Sequence, residues 1–155
     1  MRLVPLTAEA ISPFGSVVTA PAITSDRSIY TQWLGSARTN MTPRFHVNLL
    51  LPTELPYTIK VLERHLYSAQ FFVPLDVANY VVVVAPTAND GSPDLGAVRA
   101  FLAPPNVGVV YAPGTWHAGA TVLERPGSFA VLIWRNDSAD DEEFLALETP
   151  FEIRR

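Results

Sequence analysis

The chain has 155 residues, 48% hydrophobic and 17% charged, a globular composition that suits one domain (1–155) with one core. Its formal net charge of −4 offers no excess of Lys and Arg for phosphates, so nucleic acid is not an expected partner. No cysteine is present, which removes disulfides, zinc–thiolate centres, iron–sulfur clusters and cysteine nucleophiles together.

The opening MRLVPLTAEAISPFG contains Glu9 and two prolines and lacks the apolar core of a signal peptide, so the cytosol is the expected location. No apolar run approaches the roughly 18–20 residues that span a bilayer, so no membrane partner is expected. Thr7 is placed to cap a helical turn through Ser12, ended by Pro13. Residues 20–44 are rich in Ser, Thr and Pro and read as a surface loop, a lid or an interface arm. Beyond them, apolar runs broken by Pro and Gly predict strands over Phe45–Leu51, Tyr57–His65, Ala69–Val73, Tyr80–Ala85, Val98–Leu102, Gly108–Tyr111, Trp116–Leu123 and Phe129–Trp134. Their spacing, near the roughly 8–12 residues of a sandwich or barrel, predicts an all-β fold with a few short helices. YVVVVAP (80–86) reads as a strand buried on both faces. Ser92-Pro93-Asp94 reads as a cap with Pro at the first helical position, and Gly96 keeps that helix short. The acidic run DSADDEEF (137–144) reads as a solvated surface face or as the opening of a short C-terminal helix.

Any metal must be held by His, carboxylate or amide groups, and the histidines are His46, His65 and His117. In KVLERHLYSAQFFVP (60–74), strand alternation puts Val61, Glu63 and His65 on one face and Lys60, Leu62 and Arg64 on the other. A turn over Leu66–Ala69 returns Gln70 beside His65, so a carboxylate, an imidazole and an amide converge. The structural alternative is a set of surface ion pairs around Glu63 and Arg64, which stabilise little. In YAPGTWHAG (111–119), Gly114 permits a tight turn and His117 starts the next strand, placed to face His65 across the interior of a closed sheet. Two His and one carboxylate form a competent site for a divalent first-row metal with open positions for a bidentate acid. The alternative is a pair of packed, half-buried histidines. Trp116 reads as a core or interface anchor ahead of a substrate-stacking ring. Arg38, Arg44 and Arg135 are candidates for clamping a carboxylate, and Arg135 follows FAVLIW at a predicted strand end. No Gly-rich phosphate loop and no Gly-x-Ser-x-Gly elbow is present.

The blocks LERH…SAQFFVPL (62–75), YVVVVAP (80–86), PDLGAVRAFLA (93–103) and GVVYAPGTWHAG (108–119), in this order, resemble the ureidoglycolate lyase family. LVPLTAEAISPFGSVV (3–18) is similar to that family's start, and the likeness spans residues 3–135. The resemblance implies a cupin-type double-stranded β-helix, a jelly-roll barrel, usually a homodimer. It implies a carbon–nitrogen lyase of the amidine-lyase type that cleaves ureidoglycolate to glyoxylate and urea, in the use of nitrogen from purines and allantoin. Carried onto this chain, it makes Glu63, His65 and His117 the catalytic residues and Gln70, Tyr111 and Arg135 the substrate-binding ones. It places a divalent metal, nickel by the resemblance, on His65, His117, Glu63 and Gln70. The chain departs from the family's polar pattern at Val110, Ala112, Ala118, Trp134 and at Leu49 or Leu50. These departures set two expectations against the lyase: a diverged cupin acting on another small carboxylate, or a non-catalytic small-molecule-binding cupin.

Overall fold

The computed structural model describes residues 1–136, 138 and 140–155. The strands are β1 (Val4–Pro5), β2 (Gly15–Val18), β3 (Thr42–Leu50), β4 (Tyr57–His65), β5 (Gln70–Asp76), β6 (Asn79–Ala85), β7 (Arg99–Ala103), β8 (Gly108–Tyr111), β9 (Trp116–His117), β10 (Thr121–Leu123), β11 (Gly127–Arg135) and β12 (Glu142–Ile153). A short helix, α1 (Ala8–Ile11), precedes β2. One sheet runs β1-β7-β6-β9-β4-β12 with β10 also on β6, and the other runs β2-β8-β5-β11-β3. The chain stays in one sheet only from β2 to β3, β6 to β7 and β9 to β10, and switches sheets at every other connection. The central strands, β3-β11-β5-β8 over β4-β9-β6-β7, are in jelly-roll order, the expected cupin-type fold.

β6 shows why the layers form. Every residue of Tyr80–Ala85 is buried. Tyr80, Val82 and Val84 join Phe72, Val109, Phe129 and Val131 of the other sheet in the core between the layers. Val81, Val83 and Ala85 pack on the opposite face with Ile59, Leu62, Trp116 and Leu147. A β-branched run without alternation is what a strand covered on both faces requires. Residues 19–41 supply a third apolar layer, with a 3-10 turn at Thr31–Trp33. Tyr30 and Trp33 pack against Phe71, Val110 and Trp134 on the outside of the smaller sheet. This segment is therefore a cover on the sheet, and the Tyr30 hydroxyl pins it by accepting from Thr19 N–H at 2.9 Å.

Most predicted strands recur with ends shifted by up to three residues. Trp116–Leu123 divides into β9 and β10, because Gly119 and its neighbours leave the ladder. Thr7 caps α1 as expected, accepting from Ala10 N–H at 3.2 Å. The cap near residue 93 is Asp94 instead of Ser92: its carboxylate accepts from Gly96 N–H, and Leu95–Ala97 makes a single 3-10 turn. The C-terminal helix reading of 137–144 is corrected. Asp137 and Ala139 lie outside the described residues, and from Glu142 the chain forms β12, paired antiparallel to β4. The edge of β4 has unpaired backbone groups that a strand satisfies and a helix cannot.

Two contacts set the turn that leads to His117. Phe14 C=O accepts from Ala112 N–H at 2.8 Å and from the Thr115 hydroxyl at 2.9 Å. Gly15, at φ +152°, pairs with Tyr111 so closely that an added Cβ would run into the Val110 carbonyl oxygen. A Gly15→Ala variant is expected to lose roughly 2–3 kcal/mol or more of stability, because backbone on both sides must move. Chemical denaturation reads this directly, and a midpoint within error of wild type would contradict the tight approach.

Candidate functional site

The site lies at one end of the space between the sheets. Glu63 pairs in register with His117, which also pairs with Val84, a residue of the inter-sheet core, so Glu63 and His117 share the inward face. His65, two residues along β4, points the same way. From the opposite sheet, Gln70 pairs with Tyr111, whose ring stacks on His117 at 4.2 Å between centroids. The two histidines are thus neighbours within one sheet, with ring centroids 5.8 Å apart, and do not face each other across the barrel. Trp116 points outward, packs in the outer cluster and lies under the Arg64 guanidinium at 4.4 Å, so it is the anchor expected of it. His46 is exposed on β3 and stands apart from the group.

His117 is almost wholly buried, and its Nδ1 lies 3.0 Å from the Thr115 carbonyl oxygen. A carbonyl only accepts, so Nδ1 carries a proton. Nε2 then lies 3.3 Å from Glu63 Oε1, without the alignment of a finished hydrogen bond. A neutral ring would set its lone pair against a carboxylate lone pair there, whereas a proton on Nε2 would point at Oε1. Burial pushes the Glu63 carboxyl up, but the hydrogen-bonding and positive charge of His117 outweigh it, and the net shift is downward. His65 is buried with no hydrogen-bond partner on either ring nitrogen. Burial, and after it the charge of His117, pushes its imidazole down to about 4, so it is neutral at neutral pH. Burial raises the Tyr111 phenol well above its ordinary value, which keeps it protonated as a wall of the site. Gln70 Oε1 is buried and also without a partner.

The rim is charged. Arg135 holds Glu142 through both guanidinium nitrogens, at 2.7 and 2.8 Å, so its fork is engaged. Arg135 and Arg44 line one surface cleft of about 580 Å³ with Thr42, Asn40 and Asp140. Arg38 pairs with Asp140 and lies 3.7 Å over the Tyr67 ring. Two acids beside His65 were not singled out in the sequence. Asp141 Oδ2 lies 3.7 Å from His65 Nδ1, and Glu142 is the register partner of His65. Their signal was present in the acidic run, where a solvated face explained it equally well.

By donor chemistry the site fits a divalent first-row metal: three unpartnered nitrogens on two imidazoles and an unpartnered amide oxygen are ligands such an ion takes. The arrangement is incomplete, since among the described residues no three His, Asp or Glu side chains gather closely enough to hold one.

The neutral state of His65 makes stability depend on pH. Unfolded, the ring takes a proton below its ordinary value of 6.5; folded, it resists until about 4. Between these values the unfolded chain holds the extra proton, so stability falls as pH drops, by roughly 3 kcal/mol over the full window. The lowered Glu63 and Glu142 carboxyls act with the same sign at lower pH. Urea titrations from pH 7 to pH 4 are expected to show this slope, reduced in His65→Gln; an unchanged slope in the variant would count against a neutral His65.

Comparison with known proteins matches the residue pattern. The family model described as ureidoglycolate lyase matches residues 1–154. The chain is 32% identical to a ureidoglycolate lyase of Chelativorans sp. (strain BNC1), over 96% of this chain and 93% of that protein. It is 30% identical to one of Mesorhizobium japonicum, over 90% of this chain and 89% of that protein. It is 35% identical to one of Schizosaccharomyces pombe, over 63% of this chain and 53% of that protein. Among solved structures, RmlC from Streptococcus suis is similar with a TM-score of 0.47 at 9% identity, over 63% of this chain and 46% of that one. With its model matched from end to end and its His, Glu and Gln side chains gathered at one end of a jelly roll, the chain belongs to the ureidoglycolate lyase family.

Proposed function

We propose that the chain cleaves ureidoglycolate to glyoxylate and urea, as an amidine-lyase type carbon–nitrogen lyase in the use of purine- and allantoin-derived nitrogen. The observation that carries this reading is the Glu63–His117 pair, a proton-holding couple at one end of the apolar space between the sheets. Ureidoglycolate bears a hydroxyl and a ureido nitrogen on one carbon. Elimination removes the hydroxyl proton, forms the carbonyl of glyoxylate and breaks the C–N bond, whose electron pair leaves with the ureido nitrogen. That nitrogen needs a proton to depart as urea. Glu63 is the more accessible partner, with its side chain 18% exposed against 1% for His117, and takes the hydroxyl proton. His117 Nε2 supplies a proton to the leaving nitrogen. The proton then passes from Oε1 to Nε2 across the pair, which restores the starting state with no net uptake.

The other side chains suit the same substrate. Gln70 Oε1, a buried acceptor without a donor, matches a ureido N–H. Arg135 takes the substrate carboxylate in exchange for Glu142, as one bidentate partner for another. A bound divalent metal, nickel by family likeness, would be held by His65, His117, Glu63 and Gln70 and would polarise the hydroxyl and carboxylate oxygens as a Lewis acid. Three of the apolar positions lie outside this end of the barrel. Val110 and Trp134 pack in the outer cluster under residues 19–41, and Ala118 packs in the outer cluster of the larger sheet. This favours the lyase over a pocket stripped of its polar groups.

A homodimer and a cytosolic location belong to the same proposal. On β3, an edge strand, Phe45, Val47 and Leu49 are 57–71% exposed on one face. An antiparallel pairing of two β3 strands about Val47 sets Phe45 against Leu49 and continues the sheet across both copies.

Release of urea and glyoxylate from ureidoglycolate, above the spontaneous rate and with or without added Ni²⁺ or Mn²⁺, tests the activity. Glu63→Gln is expected to lower kcat by about 10²–10⁴-fold while the fold is kept. Absence of turnover under every metal condition would sink the lyase reading. Light scattering on the eluting protein is expected to give a dimer mass, and Val47→Lys a monomer; a monomeric wild type would refute the β3 pairing.

A further inference from the structure

Asp141 is a buried carboxylate that the proposed proton transfers leave unused. Its oxygens clamp the turn from β4 to β5: Oδ1 accepts from Tyr67 N–H at 2.6 Å, and Oδ2 accepts from the Ser68 hydroxyl at 2.7 Å. Its backbone carbonyl accepts from Leu66 N–H at 2.8 Å. That much is structural. Oδ2 also lies 3.7 Å from Nδ1 of His65, a ring that is 3% exposed and has no hydrogen-bond partner on either nitrogen. A neutral imidazole carries one proton on one of two nitrogens. On Nδ1, the N–H dipole points toward a carboxylate oxygen. On Nε2, it leaves the Nδ1 lone pair facing that oxygen in a water-poor interior, where like polarity is costly. Glu142 and Arg135 also stand on this side of His65, and their bidentate pairing leaves neither as a competing partner for Nδ1.

We infer that Asp141 is a positioning residue that fixes His65 as its Nδ1–H tautomer and leaves Nε2 bare. The Thr115 carbonyl imposes the same proton position on His117 from a different strand. Two adjacent rings therefore turn the same atom, Nε2, away from their fixed partners. Their roles divide. His117 Nε2 shares the proton of Glu63, whereas His65 Nε2 accepts and does not donate. In the reaction this makes His65 an acceptor that orients the hydroxyl or a ureido N–H, and excludes it as the acid that protonates the leaving nitrogen. That assignment rests on the lyase reading; the tautomer does not.

The test is a long-range proton–nitrogen correlation spectrum of the chelator-treated full chain at neutral pH, with the three histidines assigned by His46→Gln and His117→Gln. His65 is expected to show a protonated Nδ1 and a bare Nε2. In Asp141→Asn, the amide oxygen keeps the Tyr67 N–H and the amide nitrogen faces His65. The proton is then expected to move to Nε2, because an N–H donor now favours a bare Nδ1. Ser68→Ala removes a contact to Oδ2 but keeps the carboxylate, and is expected to keep Nδ1–H. With ureidoglycolate, Asp141→Asn is expected to lower kcat by about 10²-fold with KM little changed, and Ser68→Ala to leave kcat near wild type. A wild-type His65 protonated on Nε2 overturns the inference, as does an Asp141→Asn spectrum that keeps Nδ1–H. The wild-type spectrum decides even if Asp141→Asn does not fold. If the chain turns over no ureidoglycolate, the reaction fails while the tautomer is still read.

Discussion

The pairing of β9 with β4 is the contact on which the rest of the site depends. β9 is two residues long, and its place is fixed from both ends. Its partner residue Glu63 lies opposite His117, while Gly114 N–H donates to the His65 carbonyl at 2.6 Å. Gly114 takes φ +79°, a left-handed conformation that glycine adopts at low cost. That turn lets the backbone reach His65 and then reverse, so that a side chain from one motif lands beside a side chain from the other. The β6 strand completes the setting by pairing Val84 with His117 from the other side. A strand this short has little ladder energy of its own. Its position comes from the longer strands β4 and β6 that bracket it, which is why the imidazole sits on a rigid element although its segment is nearly a loop.

Charge at this end is arranged around burial. Glu63, Asp141 and Glu142 bring three carboxyl groups to the neighbourhood of two imidazoles and Arg135. Arg135 neutralises Glu142 with a two-point contact, and this hydrogen-bonding raises the guanidinium and lowers the carboxyl. Asp141 is satisfied by backbone and hydroxyl donors. Glu63 is left to His117 alone. The acid with the fewest fixed donors is thus the one that shares a proton, whereas the well-bonded acids hold geometry. A proton moves most easily where the surroundings do not bind one state tightly, and by donor count Glu63 is the carboxyl held least tightly.

Much of this was legible in the sequence, and the limits have physical reasons. β4 and β8 were bounded to the residue because apolar alternation and flanking turns coincide there. Strand alternation put Glu63 and His65 on one face and the turn after β4 returned Gln70 beside them, whereas His117 was expected across the interior and lies in the same sheet. Asp141, Glu142 and β12 were not legible. The acidic start of this edge strand shows no apolar period, and only Leu147, Phe151 and Ile153 farther along it pack against the outer cluster. Asp141 differs from the acids around it by being buried, and burial there depends on a turn some seventy positions away, at Tyr67 and Ser68. Local pattern carries no trace of such a contact. The same holds for Arg135, whose strand-end position was readable but whose partner Glu142 was not.

The apolar residues expected from the sequence to be departures from the family's pattern illustrate how placement changes the meaning of a residue. As a string, Val110, Ala118 and Trp134 look like polar groups lost from a pocket. In the fold, Val110 is next to Tyr111 on β8, and alternation turns the two to opposite faces: Tyr111 stacks on His117 while Val110 packs outside under residues 19–41. Trp134 stands in the same relation to Ile133, whose register partner is Gln70, and Ala118 comes after His117 and packs in the outer cluster. One-residue offsets thus separate an inward face from an outer packing face, and a count of polar positions does not distinguish them. The difference at these positions lies in how the sheets are covered from outside. The acid, imidazoles and amide stand on the inward faces of the same two sheets, one residue away from these packing positions.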